Sequence, residues 1–264
     1  MRIYISKKQL CPLRRIVLLM LFVNYTNYGQ ELITDRPDQT ESSSTVPKRS
    51  LQIESGLLIG FAEGEDISLR EILAPTTLFR YGITKGFEIR VVNQLISIKN
   101  KNSSEEFTGI GDLEVGAKIQ IFQKKGVNTE IAFLTHLRLP TGTEEVSIGN
   151  YGTINKLSIS HELTDNIGIG YNLGYNYFGI DSGFFTYSLV FGIGITEKAA
   201  IYLETYGNVG ILDEYLANFD TGFTYLLKQN FQLDFSFGTG INYTMNYISA
   251  GFSWNIGMKK KNSG

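Results

Sequence analysis

Two histidines, a few neighbouring serines and a large set of carboxylates are the side chains of this 264-residue sequence from which chemistry could be built. His161 follows Ser158 and Ser160, but a serine nucleophile needs its histidine on the same face, with a third group to orient it. On an extended chain, even and odd positions point opposite ways, so His161 is turned away from both serines. Cys11 is the one cysteine and there is no close histidine pair, which leaves no ligand set for a metal. Gly109-Ile110-Gly111, Gly168-Ile169-Gly170, Gly192-Ile193-Gly194 and Gly238-Thr239-Gly240 do not continue as G-x-G-x-x-G into a helix, so no nucleotide loop is expected either. The sequence therefore predicts no catalytic, metal or cofactor-binding site. What it offers instead is a set of charges: Glu54, Arg70, Arg80, Glu88, Arg90, Asp112, Glu114, Lys118, Glu130, Arg138, Lys156, Glu162, Glu204, Asp220 and Asp234, with His136 among them.

Those charges have one parity, and that points to the elements carrying them. From residue 50 onward, apolar residues alternate with polar or small ones over twelve segments, at 50–62, 69–81, 86–98, 107–122, 127–140, 149–163, 166–178, 183–195, 199–210, 217–227, 231–242 and 246–257. Within the first eleven, every charged residue but Glu71 is even-numbered. In the twelfth the parity flips, with Ile248, Ala250, Phe252, Trp254 and Ile256 on its apolar face. The links alternate as well. Thr84-Lys85, Lys124-Gly126, Thr164-Asp165, Glu197-Lys198 and Lys228-Asn230 are short, whereas 99–106, 141–148 and 211–216 are longer, although Asn242–Met245 is short. Short turns on one rim, long loops on the other and an even strand number predict an all-β, closed antiparallel transmembrane barrel of about twelve strands. Closure is required because an open edge would leave unpaired backbone groups in hydrocarbon. A soluble β-sandwich is disfavoured, since its strands are shorter and it would have to bury a charged face.

Composition agrees. With 28 glycines, 12% aromatic and 19% charged residues, five prolines and a mean hydropathy of -0.05, the chain is neither disordered nor a disulfide scaffold. No apolar run approaches the roughly 20 residues of a spanning helix. Arg2, Lys7, Lys8, Arg14 and Arg15 precede the apolar run Ile16–Val23, which reads as a signal peptide over 1–29. Its removal would leave 19 basic against 26 acidic side chains, net -7, and no cysteine. Nucleic acid is not an expected partner.

The domain reading is then a signal peptide at 1–29, an N-terminal segment at 30–48, a barrel at 49–258 and a polar tail at 259–264. The segment 30–48 is expected either in the periplasm or inserted in the lumen, where Asp35, Arg36, Asp38 and Glu41 would meet the lumen charges as a plug or gate. Pairing across turns predicts contacts of Arg80 with Glu88 and of Lys118 with Glu130. With nine acidic to six basic residues in the lumen set, an anion pore is disfavoured.

Ile33-Thr34-Asp35-Arg36-Pro37-Asp38-Gln39-Thr40-Glu41-Ser42, Val46-Pro47 and Leu51-Gln52-Ile53-Glu54-Ser55-Gly56 resemble the start of an outer-membrane β-barrel family labelled for the meta-pathway of phenol degradation and called a transporter family. Leu78-Phe79-Arg80-Tyr81-Gly82-Ile83-Thr84, Phe87-Glu88-Ile89-Arg90, Gly109-Ile110-Gly111-Asp112-Leu113, Leu139-Pro140-Thr141-Gly142 and Gly251-Phe252-Ser253-Trp254 extend the resemblance over nearly the whole mature chain. It implies passive uptake of small molecules, hydrophobic or aromatic ones included, across the outer membrane of a Gram-negative bacterium. Expected partners are outer-membrane lipid, the barrel-assembly machinery and a small-molecule substrate. The alternatives are a closed structural or interaction barrel and an outer-membrane lipid-modifying enzyme. Such barrels finish on an aromatic residue, and the tail Lys259–Gly264 departs from that pattern.

Overall fold

The computed structural model describes residues 32–64, 68–103, 105–180, 182–210 and 215–257. The expected signal peptide and polar tail lie outside the described residues. Strands run β1 (Leu51–Glu63), β2 (Ser68–Thr84), β3 (Phe87–Asn100), β4 (Glu106–Ile110), β5 (Leu113–Gln123), β6 (Thr129–Leu139), β7 (Gly152–Thr164), β8 (Ile167–Tyr177), β9 (Phe184–Gly194), β10 (Ala199–Val209), β11 (Tyr215–Lys228), β12 (Phe231–Gly240) and β13 (Thr244–Ile256). Short β4 and β5 pair in succession with β3, through Lys99↔Glu106 to Leu95↔Ile110 and then Val92↔Glu114 to Phe87↔Ile119, so they are two halves of one stave. Each stave pairs with its sequence neighbours, and β1 pairs with β13 from Leu51↔Ile256 to Glu63↔Thr244. The result is a closed antiparallel barrel of twelve staves.

Its solvation is inverted relative to a soluble protein. Among the described residues seven apolar side chains are buried against twenty-three polar or charged ones, while Leu57, Phe79, Ile119, Phe133, Leu173, Phe235 and Trp254 are exposed. An apolar exterior and a polar interior belong to a sheet that sits in hydrocarbon. In β13 the buried residues are Tyr247, Ser249, Ser253 and Asn255, so the parity flip predicted for the last strand is present. Links 85–86, 124–128, 165–166, 195–198 and 229–230 define a turn rim; the opposite loop rim carries the 140–151 connection.

One register feature overturns an expectation. Thr76 lies opposite Gly56 but Leu73 lies opposite Leu58, so Ala74 and Pro75 together face Leu57 alone. This is a bulge, placed where proline removes a ladder donor. The extra residue reverses the faces of β2 beyond it. Glu71 comes opposite Gly60 and turns inward, while Arg70 comes opposite Phe61 and turns outward. Arg70, expected in the lumen, instead reaches Glu106 at 3.1 Å on the outer face, with Lys99 3.1 Å from the same carboxylate.

Candidate functional site: a lumen crossed by the chain's own N-terminal segment

Residues 32–47, here termed the strap, touch the inward face of nearly every stave. In order, Asp35 meets β2, β3 and β5; Arg36 meets β12 and β13; Gln39 and Thr40 meet β10 and β9; Glu41 meets β8; Ser43 and Ser44 meet β7 and β6; Val46 returns to β3. Only a segment inside the barrel can make such a circuit. The turn rim is where it returns, because Gly82 has no side chain to obstruct the carbonyls of Val46 and Pro47.

On the β1–β5 side the strap completes an ion network. Arg80 and Arg90 are directly opposed on β2 and β3, an arrangement that repels unless anions lie between. Glu88 supplies one: Arg80 Nε donates to its Oε1 at 2.9 Å and Arg90 Nη1 to the same atom at 3.0 Å. Asp35 supplies the other. Its Oδ2 lies 2.6 Å from Arg90 Nη1, 3.1 Å from Arg80 Nη1 and 2.9 Å from Lys118 Nζ. Burial alone would raise the Asp35 carboxyl, but Arg80, Lys118 and Arg90 outweigh it and hold it well below the usual carboxylate range. Glu54 accepts from Arg80 Nη1 at 2.9 Å and from the Asp35 amide at 2.8 Å. Glu41 accepts from Arg90 Nη2 at 2.8 Å. The contacts of Lys118 (Asp35, Glu41 and Ser42) are all on the strap. Arg90 Nε also donates to His136 Nε2 at 3.0 Å, and His136 Nδ1 lies 3.1 Å from Glu114. These partners assign the Nδ1–H tautomer to His136.

The β10–β13 side is built differently. Glu204 and Asp220 are directly opposed on β10 and β11, and among the described residues no cation pairs with either. The donors that meet them are neutral, and among these residues Asp220 Oδ1 has none. Glu204 accepts from the Gln39 amide at 2.7 Å and from Thr40 Oγ1 at 2.5 Å; Asp220 accepts from the Tyr247 hydroxyl at 2.5 Å. Asp38 of the strap sits among them. Its burial, with Asp220 close by and Asp35 and Glu41 further off, holds its carboxyl well above the usual range. The strap's cation here is Arg36, whose Nη2 and Nε reach Asp234 at 2.8 and 3.3 Å and whose Nη2 reaches Ser249 at 3.1 Å. Gly56 and Gly251, opposite each other on β1 and β13, make its seat, because a Cβ at either would overlap the guanidinium.

The remaining candidates are distributed more widely. Asp112 lies in the break between β4 and β5, where it accepts from Gly142, Ser147 and Ile148 and pins the 140–151 loop, with Arg138 3.5 Å away. Glu130 and Glu162 line the turn-side mouth. Glu130 accepts from Ser44 and Gln123 and does not meet Lys118, which lies opposite Leu134 instead: the connection runs over 124–128, so Glu130 comes opposite Gln123, five residues beyond Lys118. Arg80 and Glu88 do meet, diagonally, since Glu88 lies opposite Gly82. Lys156 faces the loop-side lumen. On the outer face His161 contacts Thr129 at 2.8 Å and Tyr171 at 3.1 Å, away from Ser158. Sequence reasoning missed Glu71, Gln52, Asn172, Ser249 and the inward tyrosines Tyr202 and Tyr247. For the tyrosines a signal existed: their rings lie over Gly222 and Gly238 of the neighbouring strands.

The strap divides the lumen. On the turn side cavities of about 740 and 410 Å³ open, and on the loop side one of about 330 Å³. Turn-side and loop-side cavities share no wall residue; they meet at Arg36, Pro37, Asp38 and Glu41 of the strap.

No curated protein matches the sequence. Among solved structures, the KdgM porin in complex with disordered oligogalacturonate aligns with a TM-score of 0.52 at 13% identity, over 77% of this chain and 98% of that one. The NanC porin aligns with a TM-score of 0.51 at 10% identity, over 76% and 98%. At these identities the likeness is one of fold. The family described as "Putative MetA-pathway of phenol degradation" matches residues 34–256, from the strap to the end of β13, and the chain belongs to it.

Proposed function

We propose that the protein is an outer-membrane channel of a Gram-negative bacterium, passing small molecules, hydrophobic and aromatic ones included, down their gradient, with residues 32–47 as its gate. The observation that carries this reading is that the two ends of the lumen are separated by the chain's own strap, not by the wall. A gate of this kind can leave without breaking the barrel, whose staves are held by backbone pairing around the full circle. The inward-facing Glu54, Arg80, Glu88, Arg90, Lys118, Glu204, Asp220 and Asp234 then serve two states, as the seat of the strap and as the lining of the open path. Passage needs no catalytic group, and the protein acts as a conduit, not an enzyme. A closed structural barrel is the rival, favoured by the density of ion pairs around Asp35.

Planar-bilayer recording separates the two. Wild type is expected to conduct rarely, and deletion of residues 31–47 to give steady conductance. If the deleted form assembles into a heat-modifiable barrel and still passes no current, the channel reading is lost.

A further inference from the structure

The lumen charges are acidic in sum, yet their positions are not mixed. Every cation of the wall named above lies on β2–β7, and the loop-side cavity collects two of them, Arg90 on β3 and Lys156 on β7, together with Glu114 on β5 and His136 on β6. Arg90 and His136 are engaged with each other and with Glu88, Asp35, Glu41 and Glu114. Lys156 is not engaged. Its stem lies along Gly174, it stands opposite Leu134 and Gly174, and no acceptor or carboxylate among the described residues meets its ammonium. An unpaired ammonium facing a cavity, with an arginine on the same cavity's wall whose nearest anion belongs to a removable strap, is a place for a ligand's negative group. Leu58, Val92, Leu134 and Ile154 line the same cavity and offer an apolar surface to the rest of that ligand. Its volume of about 330 Å³ is at the small end of ligand pockets, which limits the body to about one ring.

We infer that the loop-side cavity binds a small organic monocarboxylate with an apolar body, its carboxylate held between Lys156 and Arg90. This deepens the channel reading and rests on it for direction only: the ligand would arrive from the loop rim. On Arg90 the ligand competes with Asp35, the strap carboxylate 2.6 Å from Nη1. Binding therefore loosens the strap at its most heavily paired residue and couples the permeant to the gate.

Calorimetric titration of the purified full-length barrel in detergent with benzoate, beside its neutral isostere benzamide, tests the site. Benzoate is expected to bind tighter by about tenfold, the worth of one charge-assisted contact over a neutral one. Lys156→Gln should erase most of that preference, and it leaves every ion pair described above intact. Asp35→Asn, which removes the competing charge at constant volume, should widen it. Equal affinities in wild type, or a preference that survives Lys156→Gln, would overturn the site; should either variant fail to assemble, the wild-type comparison decides alone. A strap-deleted barrel that conducts while wild type shows no benzoate preference removes the site and leaves the channel. A benzoate preference in a barrel that never conducts does the reverse.

Discussion

The wall of β2, β3 and β5 and the wall of β10, β11 and β12 hold the same strap by opposite means. On the first, three buried cations surround Asp35, and Glu41, Glu54 and Glu88 each meet at least one of them. On the second, Glu204 and Asp220 face each other with Asp38 nearby and are met by hydroxyls and an amide, and the one ion pair there among the described residues is made by the strap's own Arg36 with Asp234. Removing one member of a paired buried cluster strands its partners, whereas removing one of several crowded acids relieves them. The strap is therefore held by ion pairs at Asp35 and Glu41 and by neutral donors at Gln39 and Thr40 between them.

The largest test of that contrast is Arg80→Gln. It leaves Glu54, Glu88 and Asp35 short of a buried partner and should cost about 3–5 kcal/mol, seen as loss of the heat-modifiable band. Asp220→Asn, the matching change on the acidic wall, should leave that band unchanged or move its midpoint upward. If both variants behave alike, the contrast is wrong.

Next comes the seat of Arg36. Gly251→Ala places a methyl group in the guanidinium's position while the β13 ladder stays intact, so the barrel should assemble and open-channel events in bilayer recordings should become frequent. Persistent closure would mean that the Asp35 contacts suffice to hold the strap.

A smaller effect separates the two walls by pH. Asp35 is lowered in the docked strap, so its contribution is present above the ordinary carboxylate range and is lost as pH falls through the depressed value. Asp38 is raised, so its contribution is present below the ordinary range and is lost as pH rises through the elevated value. Opening should increase at both extremes, with Asp35→Asn flattening the acid limb and Asp38→Asn the alkaline limb. A single monotonic pH dependence would contradict this assignment.

The smallest expected effect is that of Arg70→Ala. The Arg70–Glu106 pair is exposed at the loop rim, and exposed pairs contribute little, so neither the heat-modification midpoint nor the conductance should change.

Much of this molecule was legible before folding was considered. Alternation has a period of two and is local, so the stave number, the apolar exterior and the flipped last strand could be read from residues such as Ile248 and Trp254. Parity also placed Arg80, Glu88, Arg90, Lys118, Glu204, Asp220 and Asp234 inside. It failed at Arg70 because parity counts residues, and a bulge adds one without announcing it in the alternation. Pro75 within a strand was the available signal. The turn rule overreached for Lys118 and Glu130 for a different reason: the connection is 124–128 instead of 124–126, which sets Glu130 opposite Gln123.

What the sequence by itself determined is the sheet: its closure, its faces and its inverted solvation, all consequences of a pattern that repeats every two residues. Which charge meets which was decided only by the tertiary structure. Arg36 finds Asp234 across 198 positions, and Asp35 sits among cations contributed by three staves. Such meetings depend on circumference, register and the path of an irregular strap, and none of these is written in the spacing of neighbouring residues.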